Sequence, residues 1–125
     1  MTNPSKQRGT AFETAIVAYL RDHGYPHAER RALHGTLDRG DVAGVPGVVI
    51  EAKATKAIDL AAAVDEAEAE RVNAGARLGI AVVKRRMRSV GDAYAVVPLR
   101  VMVELLCALE AATFGEATVV EQETP

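Results

Sequence analysis

RGDVAGVPGVVIEAKAT, from Arg39 to Thr55, ends an apolar run by setting a glutamate and a lysine on either side of one alanine. Val48, Val49 and Ile50 read as a buried strand, because β-branched side chains pack well on a pleated surface. Residues i and i+2 of a strand point to one side, so Glu51 and Lys53 share a face while Ile50 and Ala52 share the other. Asp41 precedes them, on the far side of a Val-Pro-Gly turn.

Whether Asp41 joins that face depends on register. It points the same way as Glu51 if the hairpin loop has an odd number of residues, or if a bulge shifts the pairing. A two-residue Pro46-Gly47 turn would pair Asp41 with Ala52 instead. Pro-Gly favours type II geometry, which suits hairpins poorly. A loop of three or five residues is therefore expected, with Asp41 opposite Glu51. Two carboxylates meeting there would bind a hard divalent cation such as Mg²⁺ through oxygen. A lysine beside them would hold an attacking water and offset negative charge building on a phosphate. The same three residues also fit alternating charge on a solvated strand face.

Working outward, Gly9–His23 carries Phe12, Ala15, Ile16, Tyr19 and Leu20 on one helical stripe, with Gly24 as cap and Pro26 beyond. Residues 1–7 read as a loose arm, His27–Leu33 as a first strand and Gly35–Gly40 as a polar connection. Ile58–Ala74 reads as a helix with Leu60, Val64 and Ala67 on its apolar side and Gly75 as a left-handed cap. Its alanines would let it lie close to a sheet. LGIAVV, Leu78–Val83, is a buried strand; Ala93–Val97 is the last strand, and Pro98 opens a helix to about Ala112. The order αβββαββα predicts an α/β fold: a mixed sheet flanked by helices, with one antiparallel hairpin and one helical crossover.

At 125 residues, with 49% hydrophobic and 26% charged residues, the chain reads as one globular domain over 1–114. Residues 115–125 are expected to be a disordered acidic tail. No apolar run nears the roughly 20 residues that span a bilayer, and the N-terminus has no apolar core of a signal peptide. One cysteine, Cys107, excludes an intramolecular disulfide and fits a reducing compartment, so the expected location is cytoplasmic.

The net charge is −2, but its distribution is uneven. Lys84, Arg85, Arg86 and Arg88 crowd one segment, while acids gather at Asp59, Asp65, Glu66, Glu68 and Glu70. Such segregation gives an acidic protein a basic face, and the Lys84–Arg88 run reads as backbone contact with DNA or as a solvated tip. Arg30 and Arg31 lie where a phosphate would pass, or are ordinary surface charge. Glu13 borders the stripe of the first helix and can lean over the sheet edge; first-turn acids also simply favour a helix N-terminus. His23, His27, His34 and Cys107 lack zinc-ligand spacing and read as structural. No Walker loop or dinucleotide fingerprint points to a nucleotide cofactor. Leu99, Met102, Val103, Leu105, Leu106 and Leu109 make the last helix apolar on most sides. A helix of that kind is buried on most sides, either by the sheet and second helix or by a second subunit.

These residues fall in a longer pattern. Lys6-Gln-Arg-Gly9 leads into a helix bearing Glu13; Arg30 follows, then Gly40-Asp41, Glu51-Ala-Lys53, a helix and LGIAVVK. Over roughly residues 6 to 100 this resembles the PD-(D/E)xK nuclease superfamily, and within it the archaeal-type Holliday junction resolvases. Gly40 stands where that family usually has a proline, a residue that does no chemistry there. The resemblance implies a restriction-endonuclease-like fold, with Asp41 and Glu51 as metal ligands and the Ala52 carbonyl as a third. It makes Lys53 the catalytic lysine and Glu13 a further ligand or a support for one. Lys6, Arg8, Arg30, Arg31 and Arg39, with the Lys84, Arg85, Arg86 and Arg88 run, would contact DNA. The activity implied is Mg²⁺-dependent hydrolysis, with Mn²⁺ as substitute, making paired nicks in four-way junctions as a homodimer. Two other readings stay open: a nuclease acting on flaps, ends or duplex, and a non-catalytic DNA-binding module on the same fold.

Overall fold

The computed structural model describes residues 4–31 and 39–123. His34, the later part of the expected first strand and most of the connection from Gly35 lie outside the described residues.

The first helix, α1, spans Pro4–Asp22 and so takes in residues 4–7, which the sequence reading assigned to a loose arm. Proline is well suited to a first helical turn, where its missing N–H is no loss, and Lys6, Gln7 and Arg8 are good helix formers. Gly24, at φ 104, turns the chain out of the helix, and Tyr25 N–H returns to the Leu20 carbonyl at 2.9 Å. Three strands follow: β1 (Glu29–Arg30), β2 (Val42–Ala43) and β3 (Val48–Lys53). Helix α2 (Leu60–Ala74) crosses over to β4 (Leu78–Val83), and β5 (Tyr94–Val96) precedes α3 (Leu99–Glu123).

The five strands form one mixed sheet in the order β1-β2-β3-β4-β5. β3 and β4 are parallel and the other neighbours antiparallel, as one helical crossover requires. The expected order of elements and mixed α/β architecture are present. Phe12, Ile16 and Val17 of α1 pack with Val42 and Ile50 on one side of the sheet. On the other side Ala63 and Ala67 of α2 meet Ala81. The approach there is close: a Cβ on Gly79 would lie 2.4 Å from the Ala67 carbonyl oxygen. Asp59 caps α2 by accepting from Ala62 N–H, and Gly75 ends it at φ 64, as its sequence position predicted. The buried face of α2 differs from expectation, however. It is Ala63, Ala67 and Glu70; Leu60 is exposed.

α3 departs further. It continues past Ala112 to Glu123, through the segment expected as a tail. Val101 is buried, whereas Leu99, Met102, Val103, Leu105, Leu106 and Leu109 are exposed. The sheet and α2 therefore do not cover this helix within the described chain. No helix among the described residues is long and apolar enough to cross a membrane.

Candidate metal and nucleic-acid site

The hairpin between β2 and β3 sets the geometry. Val48 N–H bonds to the Val45 carbonyl at 3.1 Å, and Gly47 sits at φ 72, so the Pro46-Gly47 turn forms after all. Left alone, that turn would pair Val42 with Glu51. The ladder instead pairs Val42 with Ile50, so one extra residue is taken up. The two-residue turn thought unsuitable is present, and a bulge shifts the pairing beyond it.

Asp41 does not spend its carboxylate on Glu51, however. Its Oδ2 accepts Ala52 N–H at 2.7 Å. Its own N–H bonds to the Ile50 carbonyl and its carbonyl accepts Arg31 N–H, both at 2.8 Å. Asp41 is thus fastened to β3 while remaining close enough to act on Glu51 electrostatically. The preceding Gly40 has φ 97, and a Cβ there would lie 2.7 Å from Val49 Cγ1. Proline is locked near φ −65°. The chain therefore enters Asp41 by a path that the resolvase family's usual proline would exclude.

Glu51 and Lys53 share a face, as the period of two demands, and that face is covered by α2. Lys53 Nζ lies 2.7 Å from Glu66 Oε2 and 3.4 Å from Glu51 Oε1. Carboxylate oxygens of Glu51, Glu66 and Glu70 all fall within 4.8 Å of one another, a group that could hold a metal ion. Glu51 is 6% exposed and Glu70 3%. Glu51 Oε2 is buried and receives no hydrogen bond. Burial, with the Asp41 charge adding to it, pushes the Glu51 carboxyl up to about 7 against the contrary pull of Glu70 and Lys53. Burial disfavours the charge on Lys53, but Glu66 and Glu51 outweigh it and hold that ammonium above the usual lysine range.

Glu13 is placed elsewhere. Its Oε2 takes both Nε and Nη2 of Arg30 at 2.9 Å, tying α1 to β1. The expected extra ligand and one of the expected phosphate contacts are thus paired with each other. Arg31 Nε is buried without an acceptor, whereas Arg39 and Lys6 are exposed.

The basic run starts at the end of β3, because Lys84 N–H bonds to the Lys53 carbonyl at 2.9 Å. A groove of about 660 Å³ opens there, lined by Arg8, Thr55, Lys56, Lys84, Arg86 and Met87 among others, with no acid among the described residues of its walls. A smaller hollow of about 140 Å³ beside α1 is lined in part by Lys84, Arg85 and Arg88. Arg85 is partly engaged, its guanidinium 5.0 Å from the Tyr94 ring centroid. Met87 is 99% exposed and holds φ 61, the one positive-φ residue other than glycine among those described.

The sequence reading missed Glu66 and Glu70, whose i, i+4 spacing on the helix after Glu51-Ala-Lys53 was the available signal. It also missed Lys56, which lines the same groove as Lys84. Comparison with protein-family models, curated proteins and solved structures finds no match for this chain.

Proposed function

We propose that the protein is a metal-dependent, structure-specific DNA endonuclease of the PD-(D/E)xK type, resolving four-way junctions by paired nicks as a homodimer. The observation that carries this reading is one strand end: buried Glu51 and half-buried Lys53 lie on β3, and a groove lined by Arg8, Lys56, Lys84 and Arg86 opens where β3 stops. The donors fit a hard cation, since the buried Glu51 Oε2 lacks a hydrogen bond and its neighbours are carboxylates.

In the ligand set that the resemblance implies, Asp41 and Glu51, with the Ala52 carbonyl, would hold Mg²⁺ or Mn²⁺. Bound there, the ion would supply Lewis acidity to a phosphodiester and lower the pKa of a water. Lys53 presents an ammonium that steadies the attacking water and the charge gathering on phosphate oxygens. Arg8, Lys56, Lys84 and Arg86 hold the DNA backbone along the groove. Glu13 and Arg30, paired across α1 and β1, fix the sheet edge near Asp41. The exposed apolar α3 supplies the surface on which two copies would join, giving two matched sites for two equivalent strands.

The test is cleavage of junction, flap and linear duplex of one sequence, with Mg²⁺ or with chelator. Paired junction nicks that need metal are expected. Equal cutting of linear duplex would remove the resolvase reading, and DNA binding with no cutting would leave only a binding module.

A further inference from the structure

The three-carboxylate group is better placed to hold a cation than the ligand set that the resemblance carries over. Asp41 Oδ2 already accepts a backbone hydrogen bond from Ala52, and Glu13 is paired with Arg30. Glu66 and Glu70 instead face β3 from α2, one helical turn apart. Like charges at i, i+4 on a helix repel, so this spacing works against α2 unless something positive stands before both. Elsewhere on α2 that need is met by arginine: Glu68 Oε2 takes Arg71 at 3.4 Å and Arg100 at 3.1 Å.

In this group the Lys53 ammonium is bonded to Glu66 at 2.7 Å and lies 3.4 Å from Glu51 Oε1. The carboxyls of Glu51 and Glu70 that face this ammonium and Glu66 are almost wholly buried. Glu51 Oε2 adds an independent sign. It is buried without a hydrogen bond on a side chain only 8% exposed, and that carboxylate brings an oxygen within 4.8 Å of oxygens of Glu66 and Glu70. An all-oxygen donor set without histidine or cysteine selects Mg²⁺ or Mn²⁺ over Zn²⁺.

We infer that Glu66 and Glu70 of α2 complete a divalent-cation centre with Glu51, so that the ion is held between β3 and α2. Its use in cleavage rests on the nuclease reading above; the cation site itself does not. In this arrangement Asp41 is a positioning residue, holding β3 through Ala52 N–H. The ion and the Lys53 ammonium compete for Glu66.

The experiment is a calorimetric titration of the full chain with Mn²⁺, without DNA, on wild type, Glu66→Gln, Glu70→Gln and Asp41→Asn. Circular dichroism of each variant checks folding; Glu66 is exposed, so its variant keeps the test sound if Glu70→Gln unfolds. Expected is one Mn²⁺ bound by wild type, a loss of affinity of about tenfold or more in Glu66→Gln and Glu70→Gln, and a smaller loss in Asp41→Asn. Wild-type affinity in a folded Glu66→Gln, or no Mn²⁺ bound by wild type, overturns the inference. A chain that binds Mn²⁺ as expected but cuts no DNA upholds the site and removes the nuclease reading instead.

Discussion

The Lys53 ammonium lies nearer to Glu66 of α2, at 2.7 Å, than to Glu51 on its own strand, at 3.4 Å. The lysine of the Glu-x-Lys pattern is therefore held by a helix that lies outside the pattern. Its charged partners among the described residues are acids that can also serve a cation.

Replacing Lys53 by methionine keeps the side-chain length and removes the charge. If the ammonium competes with a cation for Glu66, Lys53→Met will bind Mn²⁺ more tightly than wild type, by several-fold, while losing DNA cleavage. The two readouts move in opposite directions, which general unfolding cannot produce. Weaker Mn²⁺ binding in a folded Lys53→Met would show that the ammonium and the ion do not share Glu66.

Glu51 makes stability depend on pH. Its carboxyl titrates at about 7 in the folded chain against an ordinary 4.5, so between those values the folded state binds more protons than the unfolded one. Stability then falls as pH rises through that window and levels off above about 7, a total of no more than about 3 kcal/mol. Thermal melts in chelator from pH 5 to 8 will show this decline in wild type. Glu51→Gln, with no carboxyl to ionise, will lose most of it and melt higher than wild type at pH 8. Parallel curves for the two proteins would show that Glu51 is not the source.

The groove distinguishes among the basic residues. Lys56, Lys84 and Arg86 line it, whereas Arg85 leans on Tyr94. Alanine at Lys56 or Arg86 will weaken DNA binding and lower the salt slope by about one unit per lost phosphate contact. Arg85→Ala will change the slope less. Slopes measured between 50 and 200 mM salt decide this (roughly the range where phosphate contacts dominate), and an unchanged slope in Lys56→Ala together with Arg86→Ala would place the DNA elsewhere.

Exposure makes α3 a clean target. Leu106 is 55% exposed and Leu109 64%, so a charge at either position opens no cavity in the monomer. Leu106→Glu with Leu109→Glu is expected to convert a dimer to a monomer in light scattering, with an unchanged circular dichroism spectrum. On junction DNA the variant will give single nicks in place of paired ones. A wild-type chain that is already monomeric would remove α3 as a subunit contact.

Much of this architecture was legible along the chain because its signals are local. A period of two put Glu51 and Lys53 on one side of β3; Gly75 in left-handed geometry ended α2; and LGIAVV became the strand beside β3. The pairing of Val42 with Ile50, by contrast, depends on a bulge beside the Pro-Gly turn, where Asp41 N–H bonds to the Ile50 carbonyl. Gly40 shows the limit of pattern matching: a position counted as neutral carries a backbone angle that proline cannot adopt.

Which acids meet Glu51 was decided only in three dimensions. The rotation of α2 about its axis follows from how closely Ala63 and Ala67 can settle on Ala81 and the bare backbone of Gly79. That fit buries Glu70, brings the exposed Glu66 to Lys53 and leaves Leu60 outside, against the order of hydrophobicity along the helix. In the same way, the apolar residues of α3 announced a surface needing cover, but only the path of the chain determined that neither the sheet nor α2 supplies it. Periodicity belongs to single elements, whereas the facing partner depends on the distance and rotation between two of them, which packing alone sets.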